Sequence, residues 1–148
     1  MDIRQIMELK ALKAIPLDTK DNAYSIRIVL ASLWVSLTFL YIYADVLSLY
    51  RPGSIGSILS GKMGPLEANQ STLFFAGLLM LVPCLMFTAS FLFAYRTTRS
   101  LHVFFGVAFS LVNVANAAGE TWAYYILYCV IELSLTIGIV VLAWRWKR

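Results

Sequence analysis

The amino-acid sequence predicts an all-α fold, a membrane-spanning up-down bundle of four helices with both termini in the cytoplasm. Of its 148 residues, 60% are apolar and only 14% are charged, whereas roughly 25% are charged in an ordinary soluble domain. The apolar residues form long runs without the charged face that a soluble helix carries. The basic residues lie mainly on one side of these runs, which predicts the orientation.

Four apolar runs have the length of about 17–25 residues that a helix rising 1.5 Å per residue needs to cross about 30 Å of hydrocarbon. They predict helices over about residues 28–50, 71–95, 101–118 and 122–144. The first helix is predicted to end at Tyr50, because Arg51, Pro52 and Gly53 bring a charge, a helix breaker and a flexible residue in succession. Residues 28–148 therefore form one predicted transmembrane domain.

Residues 1–27 form a predicted cytoplasmic tail. The tail mixes acidic and basic residues and has no uninterrupted apolar core of the kind that a signal peptide requires, so no cleavage is expected. Ile3, Ile6 and Met7 fall on one helical face. We expect either a short amphipathic helix on the membrane surface, ended by Pro16, or a polar tail without fixed structure.

The connections between the predicted helices differ in length. Residues 51–70 form a sizeable loop that holds four of the eight glycines. Residues 96–100 and 119–121 form connections short enough to make neighbouring helices antiparallel. The predicted path is therefore a sequential up-down bundle.

The basic residues predict a multi-pass protein of the cell membrane, because Lys and Arg beside a span are retained in the cytoplasm. Ten lie on the predicted inner side and two on the outer side. The ten are Arg4, Lys10, Lys13, Lys20, Arg27, Arg96, Arg99, Arg145, Lys147 and Arg148, and the two are Arg51 and Lys62. Membrane topology thus accounts for the net charge of +4, and no nucleic-acid partner is expected.

Two carboxylates are predicted to lie within the membrane, where an ionisable side chain costs several kcal/mol unless it faces a partner or water. Asp45 would lie about 8 Å and Glu132 about 15 Å from the outer boundary of the membrane. Polar residues follow them at helical spacing on three helices. These are Trp34, Thr38, Tyr41 and Ser48 in the first helix, Asn113 and Asn116 in the third, and Tyr125, Tyr128, Cys129 and Thr136 in the fourth.

This pattern predicts a polar pocket that opens outward and is closed on the cytoplasmic side by Leu and Phe side chains. Its predicted ligand-binding residues are Tyr41, Asp45, Ser48, Asn113, Tyr128 and Glu132. The ligand would be a small molecule, a cation or a lipid, and the protein would bind or transport it. The alternatives are a membrane enzyme acting on a lipid or quinone, and a structural or accessory subunit whose carboxylates only join helices.

The remaining candidates point to packing rather than to chemistry. No metal or other cofactor is expected, because His102, Cys84 and Cys129 lack metal-ligand spacing, and His102 is predicted to lie at the cytoplasmic interface. The small pair Gly106 and Ser110 favours close helix packing, either within one chain or between two copies in a homo-oligomer. Membrane lipid is the other expected partner.

Two segments of the chain resemble a known family. They are YIYADVLSLYRPG, which is followed by the Gly-rich loop, and IELSLTIGIVVLAWRWKR at the end. Both resemble an uncharacterised family of small prokaryotic four-helix membrane proteins, a domain of unknown function. The resemblance covers most of the chain after about Ile28 and singles out Tyr43, Asp45, Ser48 and Glu132. It implies the four-helix architecture and no particular activity.

Overall fold

The computed structural model describes residues 19–147, with side chains from Ser25 onward. The fold is all-α apart from one short antiparallel ladder between two strands. The elements in chain order are α1 (Thr19–Ser48), α2 (Ser54–Leu59), β1 (Lys62–Met63), β2 (Leu66–Glu67), α3 (Gln70–Leu92), α4 (Tyr95–Ala117) and α5 (Ala123–Arg145). The predicted amphipathic helix of the tail lies outside the described residues.

Four helices are long and apolar enough to cross a membrane. They are Ser25–Ser48, which is the apolar part of α1, and the 23-residue helices α3, α4 and α5. The prediction of four spanning helices is confirmed at this level. The Gly-rich loop between the first two spans is not a plain coil, since it contains the short helix α2 and the β1–β2 ladder.

Two helix boundaries differ from the prediction. Helix α1 begins at Thr19, before the predicted start at residue 28. Helix α4 begins at Tyr95, so residues 96–100, predicted as a loop, are helical. These residues include no Gly or Pro to stop a helix. The chain turns instead at Phe93 and Ala94, which have extended backbone conformations.

In two helix pairs, α1 with α3 and α4 with α5, the start of one helix lies beside the end of the other. Arg27, near the start of α1, donates hydrogen bonds to the carbonyl oxygens of Ser90 at 2.6 Å and Phe93 at 3.1 Å, at the end of α3. The hydroxyl of Tyr95, at the start of α4, donates to the carbonyl of Trp146 just after α5 at 2.5 Å. We call this end of the bundle, which carries Arg27, Arg96, Arg99 and Arg145, the basic end, and the opposite end the loop end.

The packing is uneven along the bundle. Helix α4 packs most extensively on α5, and α1 packs on both α3 and α5. The core is centred on α1 and contains Leu30, Trp34, Leu37, Tyr41, Met86, Phe109, Ile139 and Ala143. All the buried residues of α3 lie in its second half, from Pro83 to Ser90. The first half of α3, towards the loop end, therefore presents nearly all its side chains to the surroundings.

Helices α4 and α5 approach closely at Gly106. A Cβ atom at this position would lie 2.7 Å from Cγ2 of Val140, so only glycine fits without a shift. One turn later, the hydroxyl of Ser110 lies 2.9 Å from that of Thr136. The small pair predicted to permit close packing thus acts between two helices of one chain.

Replacing Gly106 by alanine is expected to destabilise the protein. The added methyl group must displace Val140, and overpacking of this kind costs about 1–3 kcal/mol. The matched control is Gly138→Ala in α5, where a Cβ would meet no atom within 4 Å. Because alanine also favours helix more than glycine does, the control should unfold at the same temperature or higher. Thermal unfolding in detergent measures both, and equal unfolding temperatures would contradict the close approach.

Candidate functional site

Three polar side chains from three helices are buried in the half of the bundle nearer the loop end, and we call them the buried cluster. The hydroxyl of Tyr41 donates a 2.7 Å hydrogen bond to Oδ1 of Asn113. Asn113 is 1% and Glu132 3% exposed. Within the described residues, Nδ2 of Asn113 and Oε1 of Glu132 have no hydrogen-bond partner. A buried donor and a buried acceptor are thus left unpaired.

The helical repeat explains why these three residues meet. On each helix the buried residues recur every three or four positions, so that each helix turns one face to the core. Tyr41, Asn113 and Glu132 lie on these buried faces. The faces are Leu30, Trp34, Leu37, Tyr41 and Ala44 on α1, Thr98, His102, Gly106, Phe109 and Asn113 on α4, and Cys129, Glu132, Thr136, Ile139 and Ala143 on α5.

The other three predicted site residues lie outside this cluster. Asp45 is exposed, whereas Glu132 is buried, so the two carboxylates differ in burial. Ser48 contacts Tyr124, at 3.1 Å between the two hydroxyl oxygens. Tyr128 is partly exposed. Of the six predicted site residues, Tyr41, Asn113 and Glu132 are buried and the other three are not.

A second cluster, which sequence reasoning missed, joins the end of α1 to the start of α5. Nε of Arg51 donates to the hydroxyl of Tyr124 at 2.6 Å, and Nη1 donates to Oε2 of Glu120 at 3.0 Å. The guanidinium carbon lies 4.9–5.3 Å from the ring centroids of Trp122, Tyr124 and Tyr125. The run of aromatic residues opposite a lone arginine was the available signal, because such rings attract a cation through their faces.

The electrostatics of this second cluster favour an ionised pair. The backbone N–H groups of Trp122 and Thr121, together with Arg51, donate to Glu120 and lower the pKa of its carboxyl below the ordinary 4.5. Burial opposes the charge on Arg51, yet hydrogen bonds to Tyr124 and Glu120 raise its pKa. The side chains of Arg51 and Glu120 are 19% and 13% exposed. We therefore regard the cluster as a charged clamp between the two helices.

A third polar network lies towards the basic end, where apolar side chains were expected to close the pocket. Nε1 of Trp34 donates to Nδ1 of His102 at 2.8 Å, and Nε2 of His102 lies 3.2 Å from Oγ of Ser90, which itself donates to the Met86 carbonyl. Nδ1 must therefore accept and Nε2 must donate, which makes the imidazole neutral. His102 is fully buried within the bundle, and its depth relative to the membrane interface stays a prediction.

Two cavities open at the ends of the bundle, and neither is lined by Tyr41, Asn113 or Glu132. One of about 270 Å³ at the loop end is lined by Leu47, Tyr50, Arg51, Trp122 and Tyr124. The other, of about 620 Å³, lies at the basic end between α4 and α5. Among residues 19–147, no group of three or more His, Cys, Asp or Glu side chains is arranged to hold a metal ion.

Four apolar spans with polar side chains turned inward define a multi-pass membrane protein of the four-helix class. Residues 20–148 match a family of unknown function, DUF6326, and the chain belongs to this family. The resemblance that the sequence suggested is thereby confirmed. No curated protein and no solved structure matches the chain. The family has no assigned function, and a shared fold does not by itself determine one.

The contribution of Glu120 to stability is expected to depend on pH. Because its folded pKa lies below its ordinary value of 4.5, the stabilisation is complete above that value and is lost as the pH falls through the folded pKa. Glu120→Gln retains the shape but removes the charge and one of the two acceptor oxygens that Arg51 and the backbone use. In detergent, wild type should unfold at a higher temperature than this variant at pH 7, and the difference should shrink as the pH falls below 4.5. A difference that persists unchanged in acid would contradict the clamp.

Proposed function

We propose that this membrane protein binds a small cation at the buried carboxylate of Glu132, with access from the loop end past Asp45. One observation carries the proposal. Glu132 is 3% exposed, and its Oε1 has no hydrogen-bond partner among the described residues. Nη2 of Arg51, Nδ2 of Asn113 and Nε1 of Trp146 are also buried without a partner among these residues, but all three are donors, so Oε1 of Glu132 is the one unpaired buried side-chain acceptor in the described part of the chain.

An unpaired carboxylate inside a membrane protein cannot remain as it is. Burying a charge without a partner costs several kcal/mol, and the usual outcomes are a bound counter-ion or a proton. Glu132 is therefore expected to carry either a proton or a cation. Binding of the cation then releases the proton, so the site couples the two.

Neighbouring groups supply the other contacts for a cation. Since the hydroxyl of Tyr41 donates to Asn113, the oxygen atoms of both side chains retain free lone pairs. Oxygen ligands of this kind replace part of the hydration shell of a hard cation. An ammonium group would use the same acceptors as a hydrogen-bond donor.

The size of the occupant follows from the packing. The cluster lines neither of the two cavities, which favours an ion or a small amine over a lipid or a quinone. Asp45 is exposed and lies one helical turn beyond Tyr41 on α1. A negative charge at this position attracts cations towards the buried carboxylate.

For the orientation, we infer an up-down path in the cell membrane with the basic end and both termini in the cytoplasm. The ten-to-two distribution of basic residues supports this orientation. The alternating path is supported by the contacts of Arg27 with the end of α3 and of Tyr95 with the end of α5.

The orientation is tested with single cysteines in a variant whose Cys84 and Cys129 are replaced by serine. Ser57→Cys in the loop and Thr97→Cys at the start of α4 are both exposed sites. In intact cells, a membrane-impermeant maleimide is expected to label the cysteine at 57 at once and the cysteine at 97 only after lysis. The reverse pattern would overturn the orientation.

The binding site is tested by cation-dependent stability. Unfolding temperatures of the detergent-solubilised protein are measured in Na⁺, K⁺ or methylammonium at constant ionic strength. One of these cations is expected to stabilise wild type in a saturable manner, by about 2.7 kcal/mol at 100 times the dissociation constant. Its addition should also release protons into weakly buffered solution.

Two variants show where the cation binds. Glu132→Gln should fold and lose both the stabilisation and the proton release. Asp45→Asn should keep the stabilisation and the proton release but bind the cation about five-fold more weakly. A solvated charge a few ångströms away contributes about 1 kcal/mol, which corresponds to this factor. If Glu132→Gln responds to cations as wild type does, the proposal is wrong, and the carboxylate only joins helices.

A further inference from the structure

We propose that the 620 Å³ cavity at the basic end binds an anionic phospholipid, with the phosphate held by Arg96 and Arg99 and an acyl chain lying against Phe104. This inference is independent of the cation site, because it rests on other residues at the opposite end of the bundle.

The lining of the cavity changes from polar to apolar along α4. Arg96, Arg99 and Ser100 line one part, and Val103, Phe104 and Trp144 line the other. Eight residues separate Arg96 from Phe104, which corresponds to about 12 Å along a helix. A phospholipid lying along a membrane helix has the same order, with a charged phosphate at the interface and hydrocarbon below it.

Arg99 is held in position for such a ligand. Its Nε donates to the carbonyl of Ala143 at 3.1 Å and its Nη2 to that of Trp144 at 2.8 Å, and the guanidinium lies 5.9 Å from the Trp144 ring centroid. These bonds cap the end of α5 and leave Nη1 available. Arginine offers five donors in a planar fork, so it can serve the helix end and a phosphate oxygen together.

Arg96 is the more exposed of the two arginines. Among the described residues it forms no ion pair. Its position is in the first turn of α4, whose N-cap residue, Ala94, provides no side-chain hydrogen bond. The unpaired N–H groups of that turn add partial positive charge beside the two guanidinium groups.

Among the side chains that the structure describes, the charge distribution favours an anion at this end. The acidic side chains that the structure describes are Asp45, Glu67, Glu120 and Glu132. Asp45, Glu67 and Glu120 lie towards the loop end of the bundle, and Glu132 lies on α5 away from the basic end. None of the four lines the cavity. Basic pockets beside helix ends at the cytoplasmic surface are suited to anionic lipid headgroups.

The test uses the full chain in nanodiscs of phosphatidylcholine with 0 to about 30% phosphatidylglycerol, a range over which the anionic surface charge grows. Unfolding temperature and the lipids retained in native mass spectrometry are measured. Wild type should be stabilised by phosphatidylglycerol and should retain it in preference to phosphatidylcholine. Arg96→Gln should lower the apparent affinity by about five-fold, the effect of about 1 kcal/mol from a direct charge contact at about 4 Å in water, whereas Arg96→Lys should retain most of it.

The matched control is Arg145→Gln, which removes the same charge from an exposed residue in the last turn of α5 without touching the cavity lining. It should bind phosphatidylglycerol as wild type does. An equal loss in both glutamine variants would mean that only the general surface charge matters and would overturn the proposal. So would equal retention of the two lipids by wild type. Stabilisation by millimolar inorganic phosphate in pure phosphatidylcholine, with no further effect of phosphatidylglycerol, would show a phosphate site and not a lipid site.

Discussion

Hydrocarbon offers no hydrogen-bond partner, so every polar group within the spans has to find one inside the protein. Helix α1 meets this constraint with long side chains that reach across the bundle. Trp34 and Tyr41 bind His102 and Asn113 of α4, although the backbones of α1 and α4 make few close contacts. The aromatic side chains thus determine how far apart these helices lie, and the other helices pack around that spacing.

Helices α4 and α5 illustrate the opposite solution. Lipid tails are as apolar as leucine, so close contact and interhelical polar bonds hold membrane helices together. At Gly106 the absence of a side chain lets Val140 of α5 approach closely, and Ser110 adds a hydroxyl contact to Thr136. The α1–α4 spacing is wide and filled by polar aromatic side chains, whereas the α4–α5 spacing is narrow. The interior is therefore irregular, and Oε1 of Glu132 is buried there without a hydrogen-bond donor.

Four polar residues differ in how fully they are paired, and this difference separates structural roles from proposed binding roles. Both ring nitrogens of His102 are engaged, which leaves no lone pair for a ligand. Arg51 has a carboxylate, a phenol and three aromatic rings around it. Arg96, by contrast, is a residue of the same type without an ion-pair partner in the described chain. Nη2 of Arg51 is also unpaired, but Arg51 has a counter-charge, whereas Glu132 and Arg96 have none among the described residues, and ligands are proposed for these two.

The sequence by itself determined the four spanning helices, because the length of apolar runs and the absence of charge are local properties. It also identified Glu132 as a buried carboxylate and the close packing at Gly106. Helical periodicity gives each helix a polar face, but it does not fix how neighbouring helices are rotated or shifted along their axes. Only the tertiary structure decided that Asp45 is exposed, that Ser48 meets Tyr124, and that Arg51 reaches Glu120 and the aromatic rings of α5, since each depends on the relative position of two helices far apart in the chain.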